Sequence, residues 1–183
     1  SNMKIALILL VILLISNYLL TLNFEKYQNQ VNKNLVVTSA GDNTNFDELW
    51  CQSGRNYDVW VVYYGNNEEI YNKYRKKVDY IEKRQGSKFQ NFHHLYQTRR
   101  QELDKYDRFF ILDDDIIFET PDINQMFEIS KEYNLDICSP TFKTDGSSKI
   151  SHQITKQQSN NLLRYTNFIE VNVPLFSQEA LHK

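Results

Sequence analysis

The stretch FFILDDDIIF, residues 109–118, places three consecutive carboxylates, Asp113, Asp114 and Asp115, between two apolar runs. The first run is typical of a buried strand, and like charges this close repel unless a cation or water compensates them. The second run is also apolar, whereas a simple acidic surface turn would be followed by polar residues, so the pattern disfavours such a turn. We therefore expect the carboxylates to stand where a buried strand leaves its sheet, facing a cation.

Apolar segments alternate with helical segments along the rest of the chain. Strands are predicted at 34–41, 57–65, 107–118, 135–142 and 167–177. Helices are predicted at 43–54, 67–86, 91–106 and 122–134. Strands that alternate with helices of this length are typical of α/β proteins. We therefore predict a Rossmann-like, mainly parallel sheet flanked by helices, which would bind ligands beyond the carboxyl ends of its strands.

The spacing of the three carboxylates predicts a metal site at that edge. Successive side chains of a strand point to opposite faces, so Asp113 and Asp115 would share a face and Asp114 would point away. A carboxylate pair suits a hard divalent cation that also holds phosphate oxygens. Asp113 and Asp115 are therefore the predicted metal ligands.

The composition of the 183-residue chain is that of a globular protein, with 41% hydrophobic residues, 24% charged residues and a net charge of −2. This balance supplies no basic field, which argues against a nucleic-acid partner. Two cysteines, Cys51 and Cys138, are too few for a disulfide scaffold, and we expect two buried free thiols. Trp50 and Trp60 are expected in the core.

The N-terminal segment is much more apolar than the rest of the chain. Its first two residues, SN before Met3, are typical of a tag-cleavage remnant. Residues 5–22, IALILLVILLISNYLLTL, are just long and apolar enough for a membrane-spanning helix. We favour a signal anchor within 1–22, a polar stem over 23–34 and one domain over 35–183. The domain would be lumenal or extracytoplasmic, which means the Golgi or endoplasmic reticulum if the source is a eukaryote. A cleaved signal peptide, and hence a secreted protein, is the alternative, although bulky residues occupy the expected cleavage site.

The apolar strand followed by Asp-x-Asp resembles the metal motif of nucleotide-sugar glycosyltransferases with the GT-A fold, some of which use a DDD variant. Four segments in order extend the resemblance, over about residues 35–182, to a family of uncharacterised GT-A-like proteins common in plants. The four segments are YDRFFILDDDIIF (106–118), NLDICSPTF (134–142), HQITKQQ (152–158) and FIEVNVPLFS (168–177).

This resemblance implies an enzyme that moves a sugar from a nucleotide-diphosphate donor to a hydroxyl acceptor such as a glycan. It implies that Asp115 ligates Mn²⁺ or Mg²⁺, which bridges the donor diphosphate. Asp113 and Asp114 would then contact the metal, the ribose or the sugar.

The resemblance also assigns roles outside the triplet. Asp42, in the loop after the first strand, becomes a candidate partner of the base or ribose, although Gly and Asp are also ordinary turn residues. Glu170, inside the last predicted strand, becomes the candidate base for the acceptor hydroxyl, with an ordinary solvent-facing position as the alternative. Apart from the resemblance, Lys88 could reach a donor phosphate, although lysines are usually solvated, and His152 is a weaker candidate that lies in one of the matching segments. The residues expected to cradle the nucleoside are Ser39, Ala40, Gly41 and Asp42.

Two other functions fit parts of the pattern. Haloacid-dehalogenase-like phosphatases also place Asp-x-Asp after a strand, with a nucleophile, an acid/base and Mg²⁺. Their motif has Thr or Val where this chain has Ile117, and it needs a later Asp pair that does not follow Asp115. The sequence also stops soon after the last predicted strand, where GT-A enzymes have acceptor-binding elements. We therefore consider two alternatives: a minimal or truncated form of the enzyme, and a membrane-anchored module that binds a nucleotide sugar or glycan without turnover.

Overall fold

A computed structural model describes residues 13–18, 33–148 and 152–183. Residues 13–18 are helical, whereas most of the predicted signal anchor and of the predicted stem lies outside the described residues. Among the helices that are described, none has both the length and the hydropathy needed to cross a bilayer. The N-terminal hydrophobic helix therefore stays a prediction. Residues Lys33–Lys183 form a compact unit of their own.

A six-stranded mixed sheet forms the centre of this unit. Its strands are β1 (Asn34–Ala40), β2 (Asp58–Tyr63), β3 (Tyr80–Lys83), β4 (Arg108–Asp113), β5 (Ile137–Cys138) and β6 (Leu175–Ser177). Across the sheet the order is β3-β2-β1-β4-β6-β5. The first four strands in that order are parallel, and β6 runs antiparallel to both β4 and β5. The predicted α/β class is confirmed.

Helices flank the sheet, and α2 and α3 begin with side-chain caps. Asn67 caps α2 by accepting hydrogen bonds from the backbone N–H groups of Glu69 and Ile70. Ser87 and Gln90 form a capping box at the start of α3. The helices are α1 (Phe46–Leu49), α2 (Glu68–Arg75), α3 (Lys88–Thr98), α4 (Arg100–Leu103), α5 (Thr120–Glu132) and α6 (Gln178–Leu181), with a 3₁₀ turn at Gln153–Thr155.

The edge strand β3 lies inside a segment that the sequence predicts as a helix. The predicted helix over 67–86 ends at Arg75, and Tyr80–Lys83 pairs with β2 instead. The Tyr80 ring stacks on the Trp60 ring of β2, with 4.4 Å between their centroids. This prediction is wrong because pairing with a distant strand overrides a local helical pattern.

The last strand is much shorter than predicted. Of the predicted strand over 167–177, only the final three residues form β6. The residues before it contact β4 through carbonyl groups, because the amides of Asp113 and Ile111 donate to Asn172 O and Pro174 O at 3.0 and 2.9 Å. Pro174 has no N–H to return to the sheet, so regular pairing stops there.

Two further elements are shorter than expected. The predicted helix over 43–54 is reduced to α1, because the Thr120 hydroxyl from α5 donates to Leu49 O at 2.9 Å and closes the helix early. The predicted strand over 135–142 is reduced to the two residues of β5, which pair with the short β6.

Apolar residues fill a core on each face of the sheet. In β1, Leu35 and Val37 join the core that contains Trp60, whereas Val36 joins the core that contains Trp50. Both tryptophans are buried, as predicted. The two cysteines are free, as predicted, although only one of them is fully buried; they are Cys138, which is buried, and Cys51, which is half-buried.

Candidate functional site

The three carboxylates stand at the carboxyl end of β4. Asp113 is the last residue of the strand, and Asp114 and Asp115 form the turn after it. Ser39 of β1 is in register with Asp113, so the loop that follows β1 leaves the same edge of the sheet. Because β4 ends at Asp113, the predicted alternation of side chains does not extend to Asp115.

The charge of Asp113 is neutralised by a lysine at the start of α3. Lys88, the first residue of α3, places Nζ 2.8 Å from Asp113 Oδ1, and its side chain is only 9% exposed. The same ammonium donates to Val171 O at 2.8 Å. Burial lowers the pKa of Lys88, and the ion pair with Asp113 opposes that shift. The site therefore contains a fixed positive charge between two segments of the chain.

Asp114 fastens the loop after β1. Its Oδ2 accepts a hydrogen bond of 3.0 Å from the N–H of Gly41, and its carbonyl accepts one from the Thr44 hydroxyl. Burial raises the pKa of Asp114, and the Gly41 N–H partly offsets the rise. By contrast, Asp115 is exposed. Of the three carboxylates, Asp115 is the one most open to solvent.

The residues predicted to cradle a nucleoside lie beside this triplet. The Ser39 hydroxyl accepts a hydrogen bond of 2.8 Å from the fully buried Asn91 of α3. Ala40 O accepts one of 2.9 Å from the N–H of Tyr64. A Cβ at Gly41 would lie 2.9 Å from the tip of the Tyr64 ring. The end of β1 and the loop after it are therefore held against both β2 and α3.

Asp42 is engaged by its own surroundings. The Tyr63 hydroxyl donates to Oδ1, and the N–H groups of Asn66 and Asn67 approach the carboxylate at 3.3 and 3.4 Å. The hydrogen bond from Tyr63 is the main reason that the pKa of Asp42 is lowered. Asp42 thus stabilises the exit of β2, and its contact with a base or ribose stays a prediction.

A cleft of about 430 Å³ opens where these elements meet. It is bounded by the ends of β1, β2 and β4 and by the start of α3. Burial and the nearby aspartates raise the pKa of the Tyr64 hydroxyl. A second opening, of about 410 Å³, lies beside the edge strand β3 and contains none of the triplet. The lining of the first cleft comprises Ser39, Tyr64, Gln85, Gly86, Ser87, Lys88, Asp113 and Asp114.

Glu170 lies near the triplet but not in a strand. Its Oε1 is 2.8 Å from Nδ1 of His152 and 3.4 Å from the Thr155 hydroxyl. The Glu170 side chain is 13% exposed and that of His152 is 51% exposed. The predicted strand context of Glu170 is wrong, because the residues around it form loop and turn. The imidazole partner was not predicted, and its only signal was its place in a matching segment.

The carboxylates suit a hard cation that is shared with a ligand. Mg²⁺ in phosphate-binding sites takes one or two protein carboxylates and completes its shell with phosphate oxygens and water. Within the described parts of the chain, no group of three His, Cys, Asp or Glu side chains is placed to hold a metal unaided. A metal at Asp113 and Asp115 would therefore take its other ligands from water or from a bound molecule, and the role of these two residues as metal ligands stays a prediction.

The fold and site define an α/β protein with an acidic cleft at the carboxyl edge of its parallel strands. Residues 17–173 match the family described as Protein of unknown function (DUF707), and this match covers well over half of the chain. The chain belongs to that family. The matched region contains the triplet, Lys88, His152 and Glu170. No curated protein matches the chain, and no solved structure does.

Proposed function

We propose that the protein is a metal-dependent glycosyltransferase that moves a sugar from a nucleotide-diphosphate donor to a hydroxyl acceptor such as a glycan. The observation that carries the proposal is the grouping of Asp113, Asp114 and Lys88 in the lining of one open cleft, with Asp115 in the turn directly after them. That cleft lies where open α/β sheets bind their ligands. A Rossmann-like, GT-A type of sheet belongs to the same proposal, and the four parallel strands β3-β2-β1-β4 support it.

Asp113 and Asp115 would hold Mn²⁺ or Mg²⁺, which would neutralise charge on the leaving diphosphate. Lys88 contributes a second positive charge at the same place, because its ammonium already touches Asp113. A cation that is held in a largely dry position interacts more strongly with phosphate than one that is fully solvated. The chain therefore supplies both the metal ligands and a fixed cation for one diphosphate.

The nucleoside end of the donor would lie toward β1 and β2. Asp114 holds the N–H of Gly41 and so fixes the loop over which a ribose would pass. Tyr64 is partly exposed at the rim, with its ring tip against Gly41. An aromatic ring in that position offers a stacking surface for a base. Ser39, Ala40 and Asp42 would act through the shape of this loop.

The apolar residues 5–22 support a membrane anchor as part of the proposal, with the domain on the lumenal or extracytoplasmic side. A module that binds donor or glycan without turnover remains the second candidate, since it needs the same cleft. Product formation separates the two functions.

The experiment is an assay of nucleoside-diphosphate release from a panel of UDP- and GDP-sugars, with Mn²⁺ and a panel of glycan acceptors. We expect acceptor-dependent release that is lost with EDTA and in Asp115→Ala. Glu128→Ala, which removes an exposed carboxylate from the middle of α5, is the matched control and should retain activity. Nucleotide binding without release from any donor would favour the binding module, and release that persists in Asp115→Ala would contradict the metal assignment.

A further inference from the structure

We infer that Ser39 donates a hydrogen bond to a phosphate oxygen of the molecule bound in the cleft, and that Asn91 is the positioning residue that orients its hydroxyl. The inference rests on the proposed function and deepens it, because it names the side chains that would hold the diphosphate beside the carboxylates. It gives Ser39 a direct contact with the ligand, in addition to any effect on the shape of the loop. Its starting point is the hydrogen bond of 2.8 Å that Asn91 Nδ2 donates to Ser39 Oγ.

Two side chains of α3 reach the ends of two neighbouring strands. Lys88 and Asn91 are three positions apart, so they lie on one side of the helix. Lys88 contacts Asp113 at the end of β4, and Asn91 contacts Ser39 near the end of β1. Ser39 and Asp113 are in register across the two parallel strands, so their side chains point to the same face of the sheet. The two contacts therefore lie side by side, and Ser39, Lys88 and Asp113 all line the cleft.

The amide group of Asn91 is held in one orientation. Its Oδ1 accepts a hydrogen bond from the Arg84 guanidinium, a group that can only donate. Its Nδ2 donates to Gly86 O at 3.1 Å, and a carbonyl oxygen can only accept. Because Asn91 is fully buried, exchange of its oxygen and nitrogen would leave both contacts unsatisfied. The amide nitrogen therefore faces Ser39.

This orientation decides what the Ser39 hydroxyl can do. An amide N–H can only donate, so Ser39 Oγ is the acceptor in the contact with Asn91, and its own hydrogen is left for another partner. Among the residues that the structure describes, Asn91 is the one hydrogen-bond partner of this hydroxyl. Ser39 is only 7% exposed, and it lines the cleft. Its hydrogen is therefore available to an oxygen atom that enters the cleft.

Lys88 supplies a second donor beside this hydroxyl. Its ammonium has three hydrogens, of which one goes to Asp113 Oδ1 and one to Val171 O, each at 2.8 Å. Within residues 13–18, 33–148 and 152–183, no oxygen accepts the third hydrogen. Ser39 and Lys88 thus present two neighbouring donors whose acceptors the chain itself does not provide.

The two donors suit a phosphate group that shares a cation with the carboxylates. Phosphate oxygens are ionised acceptors, and hydrogen bonds to them are shorter and stronger than those between neutral groups. Asp113 and Asp114 line the same cleft and would repel a phosphate that entered without a cation. A divalent cation that binds carboxylate and phosphate oxygens together would offset this repulsion. The inferred ligand is therefore a metal-bound diphosphate, either free pyrophosphate or the diphosphate of a nucleotide.

Ser130 provides a matched control at the opposite edge of the sheet. It is fully buried in α5, and its hydroxyl accepts a hydrogen bond of 2.9 Å from the Arg108 guanidinium. Arg108 begins β4 and Asp113 ends it, so Ser130 lies at the far end of the strand from the cleft. Ser130→Ala therefore reports the general effect of removing a buried hydroxyl that accepts a hydrogen bond from a side-chain nitrogen.

The first test is calorimetric titration of the full chain with pyrophosphate in the presence of Mn²⁺. Ser39→Ala should weaken binding about 10- to 100-fold, the usual contribution of a hydrogen bond to a charged group. Ser130→Ala should stay within about twofold of wild type, because distant sites act independently. Unfolding curves check that each variant is folded. A wild-type chain that binds no pyrophosphate, or equal affinities in Ser39→Ala and Ser130→Ala, would overturn the inference.

The second test asks whether Asn91 acts through Ser39. Asn91→Asp keeps the shape and the acceptor for Arg84, but it replaces the donor that faces Ser39 by an acceptor, so the hydroxyl would turn its hydrogen away from the cleft. We expect Asn91→Asp to weaken pyrophosphate binding at least as much as Ser39→Ala does. In the Asn91→Asp background, Ser39→Ala should then change the affinity by less than about twofold. A full additional loss in the double variant would show that Asn91→Asp acts only through its added charge, and would contradict the positioning role.

Asn91→Ala repeats this test without an added charge and serves if Asn91→Asp does not fold. It frees the Ser39 hydroxyl to rotate, so binding should weaken more than in Ser130→Ala and less than in Ser39→Ala. Affinity equal to that of wild type in a folded Asn91→Ala would contradict the positioning role.

Titrations with UDP and GDP in the presence of Mn²⁺ separate this inference from the proposed function. If the diphosphate of a nucleotide is the natural ligand, Ser39→Ala should weaken binding of that nucleotide by the same factor as binding of pyrophosphate. Pyrophosphate that binds through Ser39, in a chain that binds neither nucleotide, would support this inference and contradict the proposed function. Nucleotide binding that Ser39→Ala leaves unchanged would contradict this inference alone.

Discussion

Lys88 Nζ and Asp113 Oδ1 lie 2.8 Å apart, and the lysine side chain is only 9% exposed while that of the aspartate is 41% exposed. The lysine opens α3 and the aspartate ends β4, so the ion pair joins the two elements that border the cleft. In the structure the ammonium contacts the carboxylate that the proposed metal would also use. Loss of this ion pair should therefore change both the stability of the domain and the net charge in the cleft.

Lys88→Met should therefore weaken both stability and nucleotide binding. The substitution leaves Asp113 without its cation, but the carboxylate is partly solvated, so we expect a loss of about 1–2 kcal/mol instead of the larger loss seen for fully buried pairs. Urea unfolding measures the change. Lys83→Met is the control, because Lys83 pairs with Glu68 at an exposed position and its loss should stay below about 1 kcal/mol. Equal losses in the two variants would contradict the role given to Lys88.

Asp114 should make the domain less stable as pH rises in metal-free buffer. Burial raises its folded-state pKa above the ordinary value of about 3.9. A carboxyl of this kind contributes stability below its unfolded-state pKa, and that contribution is lost as pH rises through the folded-state pKa. Asp114→Asn keeps an oxygen for the Gly41 N–H and removes the titration. We expect this variant to gain stability relative to wild type from about pH 4 upward.

The measurement is urea unfolding of the two proteins across that range, with EDTA present. Glu128→Gln, at an exposed position of α5, should follow the pH dependence of wild type. An Asp114→Asn curve parallel to that of wild type would show that Asp114 does not titrate as argued.

Two glycines near the cleft should respond differently to an added methyl group. A Cβ at Gly65 would overlap Asp42 Oδ1 and lie 2.6 Å from the Tyr63 ring, both of which are held by hydrogen bonds to each other. A Cβ at Gly41 would instead meet the tip of Tyr64, which is 39% exposed and can turn away. We expect Gly65→Ala to lower the free energy of unfolding by about 1–3 kcal/mol and Gly41→Ala by less.

Gly41→Ala should nevertheless weaken nucleotide binding, since the displaced Tyr64 lines the cleft. Unfolding curves and nucleotide titrations of both variants provide the check. A larger stability loss in Gly41→Ala than in Gly65→Ala would contradict the packing described for this loop.

Two lysines, Lys73 and Lys77, together compensate the negative charge of the buried Asp47. Its Oδ2 lies 3.0 Å from Lys73 Nζ and 2.9 Å from Lys77 Nζ, while the aspartate side chain is fully buried. Either lysine alone still faces the carboxylate, so Lys73→Met and Lys77→Met should each have a modest effect. The double variant leaves a buried carboxylate without a cation, and its loss should exceed the sum of the single losses by about 1–3 kcal/mol. Additive losses in the double-mutant cycle would count against this compensation.

The sequence predicts three of the four parallel strands, β1, β2 and β4, because these strands are continuous apolar runs. β1, β2 and the start of β4 lie where such runs end in Gly or Asp. β3 was missed because its register with β2, and the stacking of Tyr80 on Trp60, are contacts that no local pattern contains. The final strand was overestimated because Pro174 interrupts pairing that its apolar neighbours favour.

In the site, too, the features that depend on neighbouring residues in the sequence could be predicted, whereas contacts between residues far apart in the sequence could not. Asp113, Asp114 and Asp115 could be placed at a strand end because they follow an apolar run directly. The burial of Lys88 depends on Asp113 and on Val171, a residue 83 positions away, so a lysine in a polar segment gave no sign of it. The pairing of His152 with Glu170 likewise depends on how a loop folds back over 18 positions.

The most direct test of the central claim is thermal unfolding of the chain with UDP and with GDP, each with and without Mn²⁺. A ligand at 100 times its dissociation constant stabilises the native state by about 2.7 kcal/mol, which raises the melting temperature of a domain this size by roughly 5–10 °C. We predict such a rise with one nucleotide when Mn²⁺ is present, and its loss in Asp115→Ala but not in Glu128→Ala. A rise that is independent of Mn²⁺ and of Asp115, or no rise with either nucleotide, would contradict a metal-dependent nucleotide site at the carboxyl end of β4.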